Sequence, residues 1–120
     1  MQKVKITWKA FGDKPAQGRF VSFVEVETNF PSTVTDTEIC DIVYADTNRY
    51  QGYIWNLIQD LLDSRRTHTS ISVGDTVEID GRSYTCADIG WIKTENAVIE
   101  YLPSDYGINN IYSVKEKSNV

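Results

Sequence analysis

Residues 66–91 read RTHTSISVGDTVEIDGRSYTCADIGW, and the dipeptide Asp80-Gly81 near their centre decides how the surrounding chain folds. Two alternating runs flank it, Thr76-Val77-Glu78-Ile79 and Ser83-Tyr84-Thr85-Cys86. A two-residue type I′ turn needs φ > 0 at both central positions, which Asp and Gly accept at low cost. Pairing Ile79 with Arg82 sets Val77 opposite Tyr84 and Asp75 opposite Cys86. Val77, Ile79, Tyr84 and Cys86 then share one face, and Thr76, Glu78, Ser83 and Thr85 the other. The stretch predicts a hairpin and shows no catalytic chemistry.

The start of the chain behaves in the same way. Val4, Ile6, Trp8 and Ala10 alternate with Lys3, Lys5, Thr7 and Lys9, the period of a half-buried strand. After a polar loop with Gly12, Pro15 and Gly18, a second strand is expected over 19–28. If the two pair antiparallel with Val4 opposite Val26 and Ile6 opposite Val24, then Lys5 meets Glu25 and Lys3 meets Glu27. Apolar pairs fall on one face and opposite charges on the other, the agreement expected of a real register.

Thr35-Asp36-Thr37-Glu38 has the S/T-x-x-E form of a capping box. It opens a helix that buries Ile39, Ile42, Val43 and Cys40. A turn is expected at Asp46-Thr47-Asn48, then a second helix over 53–62 with Ile54, Leu57, Ile58 and Leu61 as its apolar stripe. Beyond the hairpin, Asp88-Ile89-Gly90 reads as a turn into a strand at Trp91-Ile92. Further strands are expected over 97–102 and 111–114, with 115–120 frayed. The predicted architecture is α+β: a mainly antiparallel sheet with two consecutive short helices packed on one face, in a single domain over 1–114.

With 41% hydrophobic and 24% charged residues, the composition is that of an ordinary globular domain. No apolar run approaches the ~18–20 residues that span a bilayer. Met1-Gln2-Lys3-Val4-Lys5-Ile6-Thr7 has no signal-peptide h-region, so the expected location is the cytoplasm, with no membrane partner. Cys40 and Cys86 are expected there as reduced, buried thiols. The net charge of −5 argues against direct nucleic-acid binding, and it is unevenly spread. Residues 1–24 carry +4 and residues 25–64 carry −7, so a basic partner would be drawn to the middle of the chain. An exposed edge beside the lysine-rich first strand would also allow a homodimer by strand addition.

Ala45-Asp46-Thr47-Asn48, Tyr50-Gln51-Gly52, Trp55, Arg66-Thr67-His68-Thr69, Ser72-Val73-Gly74-Asp75, Gly81, Tyr84-Thr85-Cys86 and Gly90-Trp91 form a pattern. On these residues the chain resembles a group of small proteins carried by bacteriophages and other mobile elements. The Ser-Val-Gly-Asp part, with the following Gly-x-x-Tyr-x-Cys, is similar to a module of YodL-like domains of conjugative elements. The resemblance spans residues 45–91 and implies an origin in a phage or mobile element of a bacterial host. It brings no catalytic residue.

The chain has no G-x-S-x-G elbow, phosphate-binding glycine loop, H-E-x-x-H or C-x-x-C. One histidine and two cysteines cannot complete a tetrahedral zinc site without a carboxylate. Neither a cofactor nor a metal is expected, and no enzyme. The expected function is binding by an accessory protein that inhibits a host defence or regulatory protein. The expected contact surface is acidic and aromatic: Asp41, Tyr44, Asp46, Tyr50, Tyr53 and Trp55. Tyr and Trp dominate binding hot spots, and a charged rim steers association. The alternative is a small-ligand or nucleotide site in the 65–69 loop, through Arg65, Arg66 and His68, with an enzyme centred on His68 as the remaining reading.

Overall fold

A computed structural model describes residues 1–9, 23–62, 69–101 and 111–117. The alternating start is strand β1 (Gln2–Thr7), paired antiparallel with β2 (Phe23–Thr28). Val4 faces Val26, Ile6 faces Val24, Lys5 faces Glu25 and Lys3 faces Glu27, the register that apolar and charge matching predicts. Residues 10–22 of the expected loop and second strand lie outside the described residues. Helices α1 (Asp36–Arg49) and α2 (Tyr53–Ile58) follow, the latter ending in a 3₁₀ turn, Gln59–Leu61. Then come β3 (Thr76–Ile79), β4 (Arg82–Cys86) and β5 (Trp91–Lys93), a 3₁₀ turn at Thr94–Asn96, β6 (Ala97–Tyr101) and β7 (Ile111–Glu116).

The fold is α+β, as expected. Five strands form an antiparallel sheet in the order β2-β1-β3-β4-β5, and β6 and β7 pair separately as a two-stranded ribbon. Asp80 (φ 48°) and Gly81 (φ 87°) both take positive φ, and Val77 faces Tyr84 while Ile79 faces Arg82. Asp80 also joins the hairpin to β1. Its N–H donates to the Lys3 carbonyl (3.0 Å) and its carboxylate accepts the Lys3 N–H (2.9 Å). The main core lies between the sheet and the helices. Val4, Ile6, Val24, Val77 and Ile79 meet Ile39, Val43, Ile54 and Ile58 there. Each such buried aliphatic side chain contributes about 1.5–3 kcal/mol. A smaller cluster of Ala87, Ile111 and Val114 seats the ribbon against Val73 and Ile92.

Three sequence expectations are corrected. Asp46-Thr47-Asn48 is the last part of α1 and not a turn. The Thr47 hydroxyl donates to the Val43 carbonyl four residues back (2.9 Å), so a residue that favours turns is satisfied within the helix. The reversal comes at Tyr50, in the left-handed region at φ 55°, and Gly52. The second helix tightens to 3₁₀ geometry after Ile58, and Leu61 is left exposed instead of completing the apolar stripe. The lysine-rich β1 lies between β2 and β3, so the sheet edge beside it is β2. Glu25 or Glu27 of that strand would meet another glutamate in any of the central self-paired registers of a homodimer. Lastly, β7 continues through Glu116, and the Lys117 N–H donates to the Asn96 carbonyl (2.7 Å). Residues 115–117 are therefore tied down.

Candidate functional site

Helix α1 carries Asp41, Tyr44 and Asp46 of the expected site, and it is anchored at both ends. At its start, Thr35 and Glu38 complete the capping box: the Glu38 N–H donates to the Thr35 hydroxyl (3.2 Å), and the Thr35 N–H to the Glu38 carboxylate (3.2 Å). Asp36, in the first turn where a negative charge suits the helix dipole, receives a two-pronged bond from Arg82 (2.7 and 3.1 Å) and one from the Tyr84 hydroxyl (2.7 Å). At its far end, Thr47 accepts the Ile71 N–H (3.2 Å), and the Asn48 amide donates to the Ile71 carbonyl (3.4 Å). The two separated parts of the 45–91 block thus meet through Thr47, Asn48 and Ile71.

This docking places the six expected contact residues in different settings. Asp46 is corrected most sharply: it is 3% exposed. One carboxylate oxygen accepts the Ile54 N–H (2.9 Å) and the other an Arg49 N–H (3.1 Å). Gly52, the N-cap of α2, has no side chain, so Asp46 supplies the acceptor that an N-cap residue would. A buried, bonded carboxylate cannot form part of a contact surface. Tyr53 is half exposed, but its hydroxyl accepts the Asn29 N–H (2.9 Å) and its ring meets Phe30 edge-on at 5.3 Å. Tyr50 and Trp55 pack on each other edge-on at 5.2 Å, beside the turn between the helices. Asp41 and Tyr44, both exposed, lie on one side of α1.

Asp41 and Tyr44 line a cleft of about 210 Å³ with Val73, Cys86, Asp88 and Trp91. Val73 and Asp88 were not among the expected site residues, and Trp91 was read only as part of a strand. Asp88 is held in place: its carboxylate accepts the Ser113 hydroxyl (2.7 Å) and the Val114 N–H (3.0 Å), and its N–H donates to the Val114 carbonyl (3.1 Å). A second cleft, of about 350 Å³, lies by Arg82, Ser83, Lys93 and Thr94. Its polar groups largely satisfy one another: Arg82 is bonded to Asp36, and Thr94 to the Ser83 and Thr85 hydroxyls (2.7 and 2.9 Å). That cleft reads as a structural seam.

Both cysteines are free and buried. Burial, with the charges of Asp75 and Asp41 adding to it, pushes the Cys86 thiol up to about 12, and burial pushes Cys40 higher still. Near neutral pH both are thiols and poor nucleophiles. Arg65, Arg66 and His68 lie outside the described residues. Among the described residues there is no group of three metal-ligating side chains, and no helix is long and apolar enough to cross a membrane.

Three described carboxylates link acidity to stability, Glu38 through its capping-box bonds with Thr35 and two others through tertiary contacts. The Arg82 guanidinium, aided by the Tyr84 hydroxyl, holds Asp36 below the usual carboxylate range. The Ser113 hydroxyl and Val114 N–H do the same for Asp88, with Lys115 adding to the effect. A depressed folded pKa gives stability that is complete above the unfolded value, about 4, and is lost as the pH falls through the folded value. The melting temperature is therefore expected to decline below about pH 4, and Asp36→Asn with Asp88→Asn to make that decline shallower. An equally deep decline in the double variant would exclude these two groups as its source.

Comparison of the chain with protein-family models, curated proteins and solved structures found no match.

Proposed function

We propose that this protein acts by binding another protein, and that the cleft between α1 and the β4–β5 turn is its contact site. The observation that carries the reading is the meeting of Asp41 and Tyr44 with Trp91 and Val73 in one cleft. These are aromatic surface and negative charge in the arrangement of a binding hot spot with a steering rim. Burial that keeps Cys40 and Cys86 as thiols speaks against a cysteine nucleophile. The resemblance of residues 45–91 to phage and mobile-element proteins makes a host protein the natural partner. We read the outcome as inhibition of a defence or regulatory protein by occlusion.

Capture from a bacterial host lysate on the immobilised protein is expected to yield one stoichiometric partner. Asp41→Lys and Tyr44→Ala should each weaken its retention about tenfold or more. Both side chains are exposed, so the melting temperature should stay within the small range of surface substitutions. Retention that is unchanged in both variants would remove the cleft from the contact.

A further inference from the structure

The cleft is smaller than the ~300–1,000 Å³ of pockets that enclose small molecules. At about 210 Å³ it has room for one long side chain. Its chemistry narrows the choice. Tyr44 and Trp91 present aromatic rings, Asp41 and Asp88 present carboxylates, and no cationic side chain is among the described lining residues. Asp41 has no hydrogen-bond or ion-pair partner among the described residues. Asp88 accepts one bond on each oxygen, which leaves lone pairs for more. An anionic or purely apolar occupant would desolvate these carboxylates with nothing in return. A lysine or arginine side chain would return a charge-assisted hydrogen bond and lay its cation against aromatic rings.

Ile89 extends the surface beyond the cleft. It stands at the tip of the β4–β5 turn, 91% exposed, where turn chemistry ordinarily calls for polar residues. The turn is closed by the Ala87 N–H on the Gly90 carbonyl (2.9 Å). The three bonds from Asp88 to β7 fasten it further. An aliphatic side chain held in this way loses little freedom on contact, which is how preorganised anchors gain affinity.

We infer that the partner presents a basic–apolar segment, with a lysine or arginine seated between Tyr44, Trp91, Asp41 and Asp88 and a neighbouring aliphatic residue against Ile89. This rests on the binding role proposed above. Selection of short random peptides on the immobilised full chain tests it, with bound peptides mapped by amide chemical-shift perturbation. Peptides that pair Lys or Arg with an aliphatic residue should emerge and perturb Asp41, Tyr44, Ile89 and Trp91. Their affinity should fall about tenfold in Asp41→Lys and about tenfold in Ile89→Ser, and should weaken as salt is raised. Peptides that map to the cleft but carry no enrichment in basic residues would overturn the inference and leave the binding role standing. If no selected peptide maps to the cleft, both fall.

Discussion

Asp75→Ala is expected to destabilise the protein by about 2 kcal/mol or more, from two part-buried donors left unsatisfied at the lower end of about 1–3 kcal/mol each. Asp75 is 1% exposed. One of its oxygens accepts the Lys9 N–H (2.6 Å), just beyond the end of β1, and the other the Ser72 N–H (2.8 Å), on the approach to β3. Its backbone is equally committed: its N–H donates to the Ser72 carbonyl and its carbonyl accepts the Cys86 N–H. Removal of the carboxylate leaves two part-buried donors without their acceptor. A typical domain has only about 5–15 kcal/mol in total, so the loss is a large share. Asp75→Asn should recover less than half, because its NH₂ would point at one of the two donors. Asp41→Ala, on the surface, should cost under about 0.5 kcal/mol. Urea unfolding of the three variants measures the difference. A value for Asp75→Ala close to that of Asp41→Ala would show that the carboxylate does not hold these segments together.

Gly52→Ala is expected to cost about 2–6 kcal/mol, from two sources. Gly52 has φ +112° and ψ −179°, a conformation essentially reserved for glycine and worth about 1–3 kcal/mol of strain for alanine. The added Cβ would also collide with the Asp46 carboxylate, and overpacking of this kind costs about 1–3 kcal/mol more. The two sources can be separated. In an Asp46→Ala background the obstacle is gone, so adding Gly52→Ala should cost only the backbone strain. The cycle should thus show a coupling of about 1–3 kcal/mol. Strict additivity would mean that the methyl group does not meet Asp46.

These two sites show how legible the chain was. Asp46 and Asp75 stand in the sequence as ordinary acidic residues, one assigned to a contact surface and the other placed opposite Cys86 in the hairpin. Each is buried and bonded to backbone N–H groups outside its own element: Ile54 on Asp46, and the distant Lys9 and nearby Ser72 on Asp75. A carboxylate reads the same in sequence whether it faces water or such donors. The turn expected at Asp46-Thr47-Asn48 failed for a related reason. Turn-favouring side chains were satisfied by α1 itself and by Ile71. Asp41 and Tyr44 were legible as exposed residues on an acidic helix, but their cleft was not. Val73, Asp88 and Trp91 reach it from loops and strands that local patterning leaves unplaced. Ile89 did leave a signal, an aliphatic residue inside an Asp-x-Gly turn.

Sequence alone determined the β1–β2 register, the Asp80-Gly81 hairpin, the capping box at Thr35 and Glu38, and the α+β class. All of these rest on period-two alternation, turn stereochemistry or bonds between residues close along the chain. Tertiary structure alone decided that β3 lies beside β1, that β6 and β7 stand apart as a ribbon, and that the β4–β5 turn comes to rest against α1. Those outcomes depend on which apolar faces bury one another across long stretches of chain. Hydrophobic burial is proportional to area and without direction, so local pattern cannot choose among the arrangements that satisfy it.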